Sequence, residues 1–175
     1  MNRRELFATA AIATTILWPL AASADQTIEI AEFSARGQLL GKRRLAKVVK
    51  SEAAWHAQLS PLAFEVTRQA GTERAYTGPG WNNHADGLYR CVCCGTALFD
   101  SHTKFDSGTG WPSFFKPIDA TNVTETRDTS LFETRTAVSC ALCDAHLGHV
   151  FADGPRPTGL RYCMNAVALS FIARA

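Results

Sequence analysis

The sequence has little net charge of either sign. Its 18 lysines and arginines nearly balance 16 aspartates and glutamates, which gives a formal net charge of +2 at pH 7. The one basic run is Lys42-Arg43-Arg44. Because proteins that bind nucleic acid broadly carry extended basic patches, this balance argues against a nucleic-acid partner.

The sequence also lacks internal repeats, low-complexity stretches and, after its N-terminus, any apolar run long enough to span a bilayer. It lacks the H-x-E and P-C-x-x-C combination of the zinc-dependent deaminases. Repeat arrays, later membrane spans and that hydrolytic chemistry are therefore excluded. What remains is one domain of roughly 150 residues, large enough for a real core, which we expect to be a monomer.

The first 24 residues have the layout of an exported bacterial signal peptide. A basic start at Arg3-Arg4 precedes the apolar run Leu6–Ala22, and Ala22-Ser23-Ala24 offers small residues for cleavage. We expect cleavage near Ala24, a periplasmic location and no stable membrane association afterwards. Paired arginines are also typical of twin-arginine signals, so both export routes stay open, as does a retained membrane anchor.

The rest of the chain divides into an N-terminal extension over residues 25–50, interpreted as a short strand and a tether, and a main domain over 51–175. Ser51 and Ser60 are predicted N-caps of two short helices that end near Leu59 and Gln69. Short segments from residue 87 onward are rich in aromatic and β-branched residues, which predicts an antiparallel β domain. The predicted strands are Gly87–Arg90, Ala97–Asp100, Ser113–Pro117, Val123–Thr126, Leu131–Ser139, His149–Phe151, Arg161–Asn165 and Ala168–Ile172.

Four of the six cysteines form two C-x-x-C pairs. The pairs are Cys91 with Cys94 and Cys140 with Cys143. Two such pairs can bind one Zn²⁺ through four thiolates, and the residues that follow them, Gly95 and Asp144, suit tight turns. A closed four-sulfur site leaves no position for substrate, so we expect a structural zinc. Two disulfides or redox-active pairs are the alternatives, which export permits.

Cys163 stands apart from these pairs in a predicted strand. Strand alternation places Arg161, Cys163 and Asn165 on one face. A neighbouring guanidinium favours the thiolate, which is the nucleophilic form of cysteine, and Asn165 could orient a substrate. The alternative is a buried structural cysteine in a core strand.

Three aromatic side chains complete the candidate site. His146 and His149 could be metal ligands, solvated histidines or acid–base groups; with four cysteines available for a metal, they are free for proton transfer. Trp111 follows a glycine-rich turn. It is either a core aromatic residue or the wall of a pocket for a small apolar group.

Together these motifs resemble the type B methionine-R-sulfoxide reductases, from about Thr72 to Phe171. The motifs that carry the resemblance are Gly108-Thr109-Gly110-Trp111-Pro112-Ser113-Phe114, Ala145-His146-Leu147-Gly148-His149-Val150-Phe151, Asp153-Gly154-Pro155-Arg156-Pro157-Thr158-Gly159 and Arg161-Tyr162-Cys163-Met164-Asn165. The resemblance implies a mainly β fold of two antiparallel sheets with short N-terminal helices and a structural zinc bound by a pair of cysteine knuckles.

The resemblance also implies roles for single residues. Cys163 matches the nucleophile that attacks the sulfoxide sulfur and becomes a sulfenic acid. His149 is the preferred acid for the departing oxygen, assisted by His146 and Asn165. Trp111 matches the residue that packs on the substrate S-methyl group, and Arg161 is expected beside the substrate. The expected substrates are oxidised proteins and, less well, free methionine sulfoxide, which makes the enzyme a repair factor in oxidative stress.

Many relatives carry a resolving cysteine where this sequence has Thr109. The resemblance therefore implies a one-cysteine enzyme that is regenerated by an external thiol, either a thioredoxin-like or glutaredoxin-like protein or a low-molecular-weight thiol. Cys93 is the only spare cysteine. It could resolve Cys163, but we expect it to be passive because its neighbours bind the metal.

Two other functions remain open from the residues alone. One is a zinc-ribbon binding module without chemistry, which leaves Cys163 and the two histidines without a role. The other is a thiol–disulfide exchange protein that uses Cys91 and Cys94, which tight metal binding would exclude.

Overall fold

The computed structural model describes residues 26–130 and 134–174. The predicted signal peptide over residues 1–24, with its cleavage near Ala24, lies outside the described residues and stays a prediction. Among the described residues, no helix has the length and apolar character needed to cross a membrane.

The described part of the chain begins with a β-hairpin that packs on the main domain. Strand β1 (Thr27–Phe33) pairs antiparallel with β2 (Leu39–Ala46). Ala31 in β1 is buried, and its backbone N–H and C=O both bond the side-chain amide of Asn122, at 2.9 and 2.8 Å. The prediction of a tether after one short strand is wrong, because the basic segment forms a second strand. Strand β2 is mostly exposed, so it lacks the apolar alternation that reveals a strand.

Two short helices follow, as predicted. Helix α1 (Glu52–Gln58) begins after Ser51, whose hydroxyl accepts a hydrogen bond from the backbone of Ala54. Helix α2 (Pro61–Gln69) begins after Ser60, whose hydroxyl accepts from the backbone of Ala63. In both cases a serine satisfies one of the free N–H groups at a helix start.

The main domain contains two antiparallel sheets, which confirms the predicted fold class; the N-terminal hairpin is a third sheet. The larger sheet has the strand order β5-β6-β10-β9-β8-β7, and the smaller has the order β11-β3-β4. The strands are β3 (Gly87–Cys91), β4 (Ala97–Asp100), β5 (Lys104–Phe105), β6 (Ser113–Phe114), β7 (Val123–Asp128), β8 (Arg135–Cys140), β9 (His146–Phe151), β10 (Arg161–Met164) and β11 (Leu169–Ala173).

Most predicted strands lie where expected, with shifted ends. Strand β9 starts at His146, three residues earlier than predicted, so both histidines lie on one strand. The predicted strand Leu131–Ser139 corresponds to β8, and its first residues, 131–133, lie outside the described residues. Strand β5 was not predicted, because two residues are too few to show a pattern.

Strand β10 lies near the centre of the larger sheet, with the hydrophobic core on one of its faces and Cys163 on the other. Tyr162 and Met164 are buried on its core side, where Tyr162 packs near the stacked rings of Phe99 and Phe114. Cys163 points the opposite way, as strand alternation requires. A neighbouring strand approaches closely: a Cβ on Gly148 would lie 2.1 Å from the carbonyl oxygen of Cys163. Only glycine therefore fits beside the cysteine.

Candidate active site and metal centre

The four paired cysteines meet at one point. Their sulfur atoms lie within 4.8 Å of one another. The Cys91–Cys143 and Cys94–Cys140 sulfur distances are both 3.6 Å. Zn–S bonds of about 2.3 Å in a tetrahedron separate sulfurs by about 3.8 Å, whereas a disulfide needs about 2.05 Å. The spacing fits a bound metal ion and argues against disulfides, and all four cysteines are free thiols.

Both cysteine knuckles have the same backbone hydrogen bonds. In the first, Gly95 N–H donates to the Cys91 carbonyl, and Cys91 N–H donates to Thr96. In the second, Asp144 N–H donates to the Cys140 carbonyl, and Cys140 N–H donates to Ala145. Gly95 and Asp144 adopt positive φ angles of 78° and 56°, as the predicted turns require. The two knuckles therefore present their sulfurs in equivalent ways.

The sulfurs also compete for protons when no cation is bound. Hydrogen bonding with Cys140, the largest cause in each case, raises the pKa of Cys91 and lowers that of Cys94. A divalent cation removes this competition, because it favours all four thiolates at once. The donor set and its burial thus suit a closed, structural metal site.

Cys163 faces a small cavity on the other side of β10 from the core. In the sheet register it pairs with His149 on β9 and with Ser113 on β6. The cavity has a volume of about 120 Å³. Its lining residues are Thr72, Trp111, Arg135, Gly148, His149, Phe151, Cys163 and Asn165. Four residues singled out in the sequence, Cys163, His149, Asn165 and Trp111, are thus brought together.

The Cys163 thiol is less acidic than the sequence suggested. Burial raises the pKa of Cys163 and outweighs the opposing effects of Thr109, Arg161 and Ser113. Arg161 does lower that pKa, but its guanidinium also forms a bidentate pair with Asp153, at 2.9 and 2.8 Å. The expected effect of Arg161 is therefore present, but burial has the larger effect, and the pKa of Cys163 lies above its ordinary value.

A chain of three hydroxyl groups lies next to the Cys163 sulfur. Thr109 Oγ1 lies 3.8 Å from Cys163 Sγ. The Ser107 hydroxyl bonds those of Thr109 and Ser113, at 2.8 and 2.7 Å. The sulfur is thus in contact with a chain of polar groups that can donate to it when it carries negative charge.

His149 is held by a carboxylate that sequence reasoning missed. Its Nε2 donates to Asp128 Oδ2 at 2.8 Å. The same oxygen accepts from Arg135 at 2.8 Å, while Ser130 donates to the other oxygen through its backbone and hydroxyl. These bonds, those of Ser130 first, hold the pKa of Asp128 well below its usual range. Asp128 is therefore an anion that fixes the orientation of the imidazole.

His146 lies behind His149, with ring centroids 5.3 Å apart. Its Nε2 is buried and has no hydrogen-bond partner among the described residues. Burial, followed by the nearby His149, lowers the pKa of His146 to about 4. His146 is therefore neutral at pH 7. It does not line the 120 Å³ cavity itself but contacts His149, which does.

Asn165 and Trp111 both line the cavity and share one partner, Glu73. The backbone N–H of Glu73 donates to Asn165 Oδ1 at 3.0 Å, and its carbonyl accepts from the Trp111 indole at 3.2 Å. Asn165 Nδ2 in turn donates to the Leu147 carbonyl. Both side chains are thus fixed by hydrogen bonds.

Cys93 lies among the metal ligands and not at the cavity. It is buried, and its thiol bonds the hydroxyl of Thr67 on helix α2 at 3.4 Å. It does not line the cavity of Cys163. That Cys93 takes no part in regeneration stays a prediction.

The SelR domain family matches residues 59–173 of this chain. That match covers helix α2, both sheets of the main domain, all four paired cysteines and the Cys163 cavity. Among curated proteins, the peptide methionine sulfoxide reductase MsrB of Thiobacillus denitrificans is 55% identical over 122 residues, which are 70% of this chain and 92% of that protein. The chain belongs to the MsrB family.

Other members are similarly close. The MsrB of Pseudomonas putida strain W619 is 55% identical over 130 residues, which are 74% of this chain and 98% of that protein. Peptide methionine sulfoxide reductase B1 of Arabidopsis thaliana, described as chloroplastic, is 58% identical over 124 residues, which are 70% of this chain and 61% of that protein.

In this member of the MsrB family, sequence reasoning missed the residues that support the side chains it found. Glu73, Asp128 and Arg135 contact Asn165, Trp111 or His149 directly or through one another. The signal for Asp128 and Arg135 was weak, since charged residues in a hairpin are usually solvated. Glu73 is an acid that is 2% exposed, but burial is not visible in a sequence.

Proposed function

We propose that this protein reduces methionine-R-sulfoxide in oxidised proteins to methionine, through a sulfenic acid on Cys163. One observation carries the proposal: the sheet register places Cys163 directly opposite His149, in a cavity that Trp111 and Asn165 also line. A nucleophile, a proton donor and an apolar wall are the groups that this reaction needs.

In the first step the Cys163 sulfur attacks the sulfoxide sulfur while the sulfoxide oxygen takes a proton from His149. Because burial favours the thiol, the thiol proton must leave as the sulfur–sulfur contact forms, and His149 receives it. The S–O bond of the substrate then breaks. The hydroxyl is transferred to Cys163, where a new S–O bond makes the sulfenic acid, and the transient bond between the two sulfurs breaks. The substrate leaves as methionine, whose sulfur has gained the two electrons that the Cys163 sulfur lost.

Charge develops on the oxygen and on Cys163 during this step. The Asn165 amide and the Thr109 hydroxyl are placed to donate hydrogen bonds, and Arg161 supplies positive charge on the same face. His146, neutral at pH 7, assists by limiting water around His149. Trp111 packs against the substrate methyl group, and this contact selects the R epimer because the other epimer exchanges the positions of methyl and oxygen.

Regeneration depends on an external thiol, because Thr109 occupies the place of a resolving cysteine. The sulfenic acid condenses with one thiol to a mixed disulfide and water, and a second thiol releases Cys163. A thioredoxin-like or glutaredoxin-like protein or a low-molecular-weight thiol can supply both. Cys93 stays passive, since its thiol is buried against Thr67.

One Zn²⁺ is the ion that suits the cluster of four thiolates, and its contribution is to folding stability. The ligands join the end of β3 to the turn between β8 and β9, and β9 carries His149. We infer that the chain is exported through its N-terminal segment, by the Sec or the twin-arginine route, and repairs periplasmic proteins as a monomer under oxidative stress.

A stereochemical assay tests the function. A peptide with racemic methionine sulfoxide is incubated with the protein and dithiothreitol, and the two epimers are separated by chiral chromatography. We expect loss of the R epimer alone and no loss with Cys163→Ser. Turnover of neither epimer by metal-loaded wild-type protein would favour a zinc-ribbon binding module, and equal turnover by Cys163→Ser would remove Cys163 from the reaction.

A further inference from the structure

Asn165 stands at the N-cap of a short helix but does not cap it. The 3₁₀ turn Ala166–Ala168 follows Asn165, and the Asn165 side chain makes no capping hydrogen bond. Asparagine at this position normally accepts from the first backbone N–H groups of the helix. Here its amide bonds the backbone of Glu73 and of Leu147 instead. Something else must satisfy the helix start.

The Glu73 carboxylate takes that place. Its Oε1 accepts from the backbone of Ala166 at 2.6 Å, and its Oε2 accepts from that of Val167 at 2.9 Å. Charge-assisted bonds of this kind are stronger than neutral ones. An acid from a distant segment therefore caps the turn, and the Asn165 side chain bonds the backbone of Glu73 and Leu147 beside the cavity.

The backbone of the same residue bonds two side chains that line the cavity. Glu73 N–H holds Asn165 Oδ1, and Glu73 C=O holds the Trp111 indole. Three residues on, Tyr76 adds two bonds to the turn before Trp111: its N–H donates to Gly110 and its hydroxyl to Gly108. The segment from Glu73 to Tyr76 thus connects Asn165 with the turn that precedes Trp111.

Close packing confines the carboxylate. A Cβ on Gly78 would lie 2.4 Å from Glu73 Oε1 and 2.6 Å from the Ala166 side chain. Glu73 itself is 2% exposed. The carboxylate is thus closely packed, and its position constrains where the Glu73 backbone sits between Asn165 and Trp111.

We propose that Glu73 is a positioning residue that fixes the separation and orientation of Asn165 and Trp111 across the cavity. This role rests on the proposed function for its catalytic consequence, but its structural part is independent of turnover. Glu73 does not itself line the cavity. It acts on the substrate only through the two side chains that it holds.

The test variant is Glu73→Gln, which keeps the shape and replaces one acceptor oxygen with a donor. One backbone N–H, of Ala166 or Val167, then faces an amide NH₂. We expect the Asn165 side chain to be drawn toward the free N–H. The expected result is a kcat/KM for the R-sulfoxide peptide lowered on the order of tenfold to a hundredfold, with weaker preference for R over S.

Nitrogen-15 NMR supplies the readout that does not need activity. The Trp111 indole and Asn165 amide signals, assigned with Trp111→Phe and Asn165→Asp, should move and exchange faster with solvent in Glu73→Gln. The controls are Glu65→Gln, an exposed acid on α2, and Leu88→Val, a core change that lowers the thermal midpoint. Both controls should leave these signals and the epimer preference unchanged.

The outcomes separate the two proposals. Unmoved signals and an unchanged epimer preference in Glu73→Gln would overturn the positioning role, even if stability fell. Moved signals in a protein whose wild type reduces no sulfoxide would support the positioning role and reject the proposed function. If Glu73→Gln does not fold, Glu73→Asp, which keeps the charge but reaches only one N–H, is measured in the same way and judged by the same two readouts.

Discussion

Cys163 and His149 are directly paired across adjacent antiparallel strands, β10 and β9. Their separation is therefore set by sheet register and not by the conformation of a loop. Sites built on paired strands are held more precisely than sites on loops. A slip of one residue would turn either side chain to the opposite face, so the register itself protects the geometry.

The His149–Asp128 hydrogen bond should matter for catalysis more than for folding. Asp128→Asn removes the anion that accepts from His149 Nε2, so the imidazole loses the group that fixes its orientation. We expect kcat to fall on the order of tenfold to a hundredfold. Steady-state kinetics with the R-sulfoxide peptide measure it. Asp86→Asn is the matched control, since Asp86 is also paired with an arginine, Arg174, and lies outside the cavity; an equal loss in both variants would contradict the role.

Thr109 should accept a resolving cysteine. Its hydroxyl lies 3.8 Å from Cys163 Sγ, close enough for small shifts to bring two sulfurs within bonding distance. After one turnover without reductant, Thr109→Cys should lose about 2 Da by intact mass spectrometry, through a disulfide to Cys163. Thr109→Ser, whose side chain has the shape of cysteine but no thiol, should show no such loss of mass. Absence of the disulfide in an active Thr109→Cys variant would show that the two side chains do not meet.

Serine substitutions should distinguish Cys140, a predicted metal ligand, from Cys93, which is not predicted to bind the metal. Cys140→Ser removes one ligand, and we expect loss of bound zinc together with a large fall in thermal midpoint, because metal binding contributes folding free energy. Cys93→Ser should keep one zinc per chain and most of its stability. Metal content by inductively coupled plasma mass spectrometry and thermal unfolding by circular dichroism measure both. Loss of zinc in Cys93→Ser would make Cys93 a ligand.

His146 should make stability depend on pH in mildly acidic solution. Its pKa is lowered from 6.5 to about 4, so between these values the unfolded chain binds a proton that the folded protein does not. Stability should therefore fall as pH falls from 6.5 to 4, by at most about 3 kcal/mol. Arg135 and His149 oppose protonation of His146, and Asp128 favours it.

Urea unfolding of wild type and His146→Gln at several pH values measures this contribution. The variant should lose less stability over the same window. Asp128 has a depressed pKa and so contributes stability that is lost only at lower pH, below its ordinary value of 3.8. Parallel curves for wild type and variant between pH 6.5 and 4 would mean that His146 is not buried in neutral form.

Local chemistry explains which features the sequence could predict. Ser51 and Ser60 cap helices through bonds to residues three positions away, and each C-x-x-C knuckle closes within a few residues. The alternation of Arg161, Cys163 and Asn165 is equally local. Patterns at these ranges are written in the sequence itself.

The missed features depend on distant partners. Glu73 is 92 residues from Asn165, and Asp128 is 21 residues from His149. No spacing rule links such pairs, because the tertiary fold brings them together. The raised pKa of Cys163 was missed for the same reason: Arg161 was visible in the sequence, but the burial of the thiol and the pairing of Arg161 with Asp153 were not.

Mass spectrometry after a single turnover tests the central claim most directly. Protein without external reductant is mixed with one equivalent of R-sulfoxide peptide, quenched with a dimedone probe and digested. The account predicts one methionine formed per chain and the sulfenic adduct on the peptide that contains Cys163. A disulfide between Cys93 and Cys163, or methionine formed with Cys163 still reduced, would contradict it.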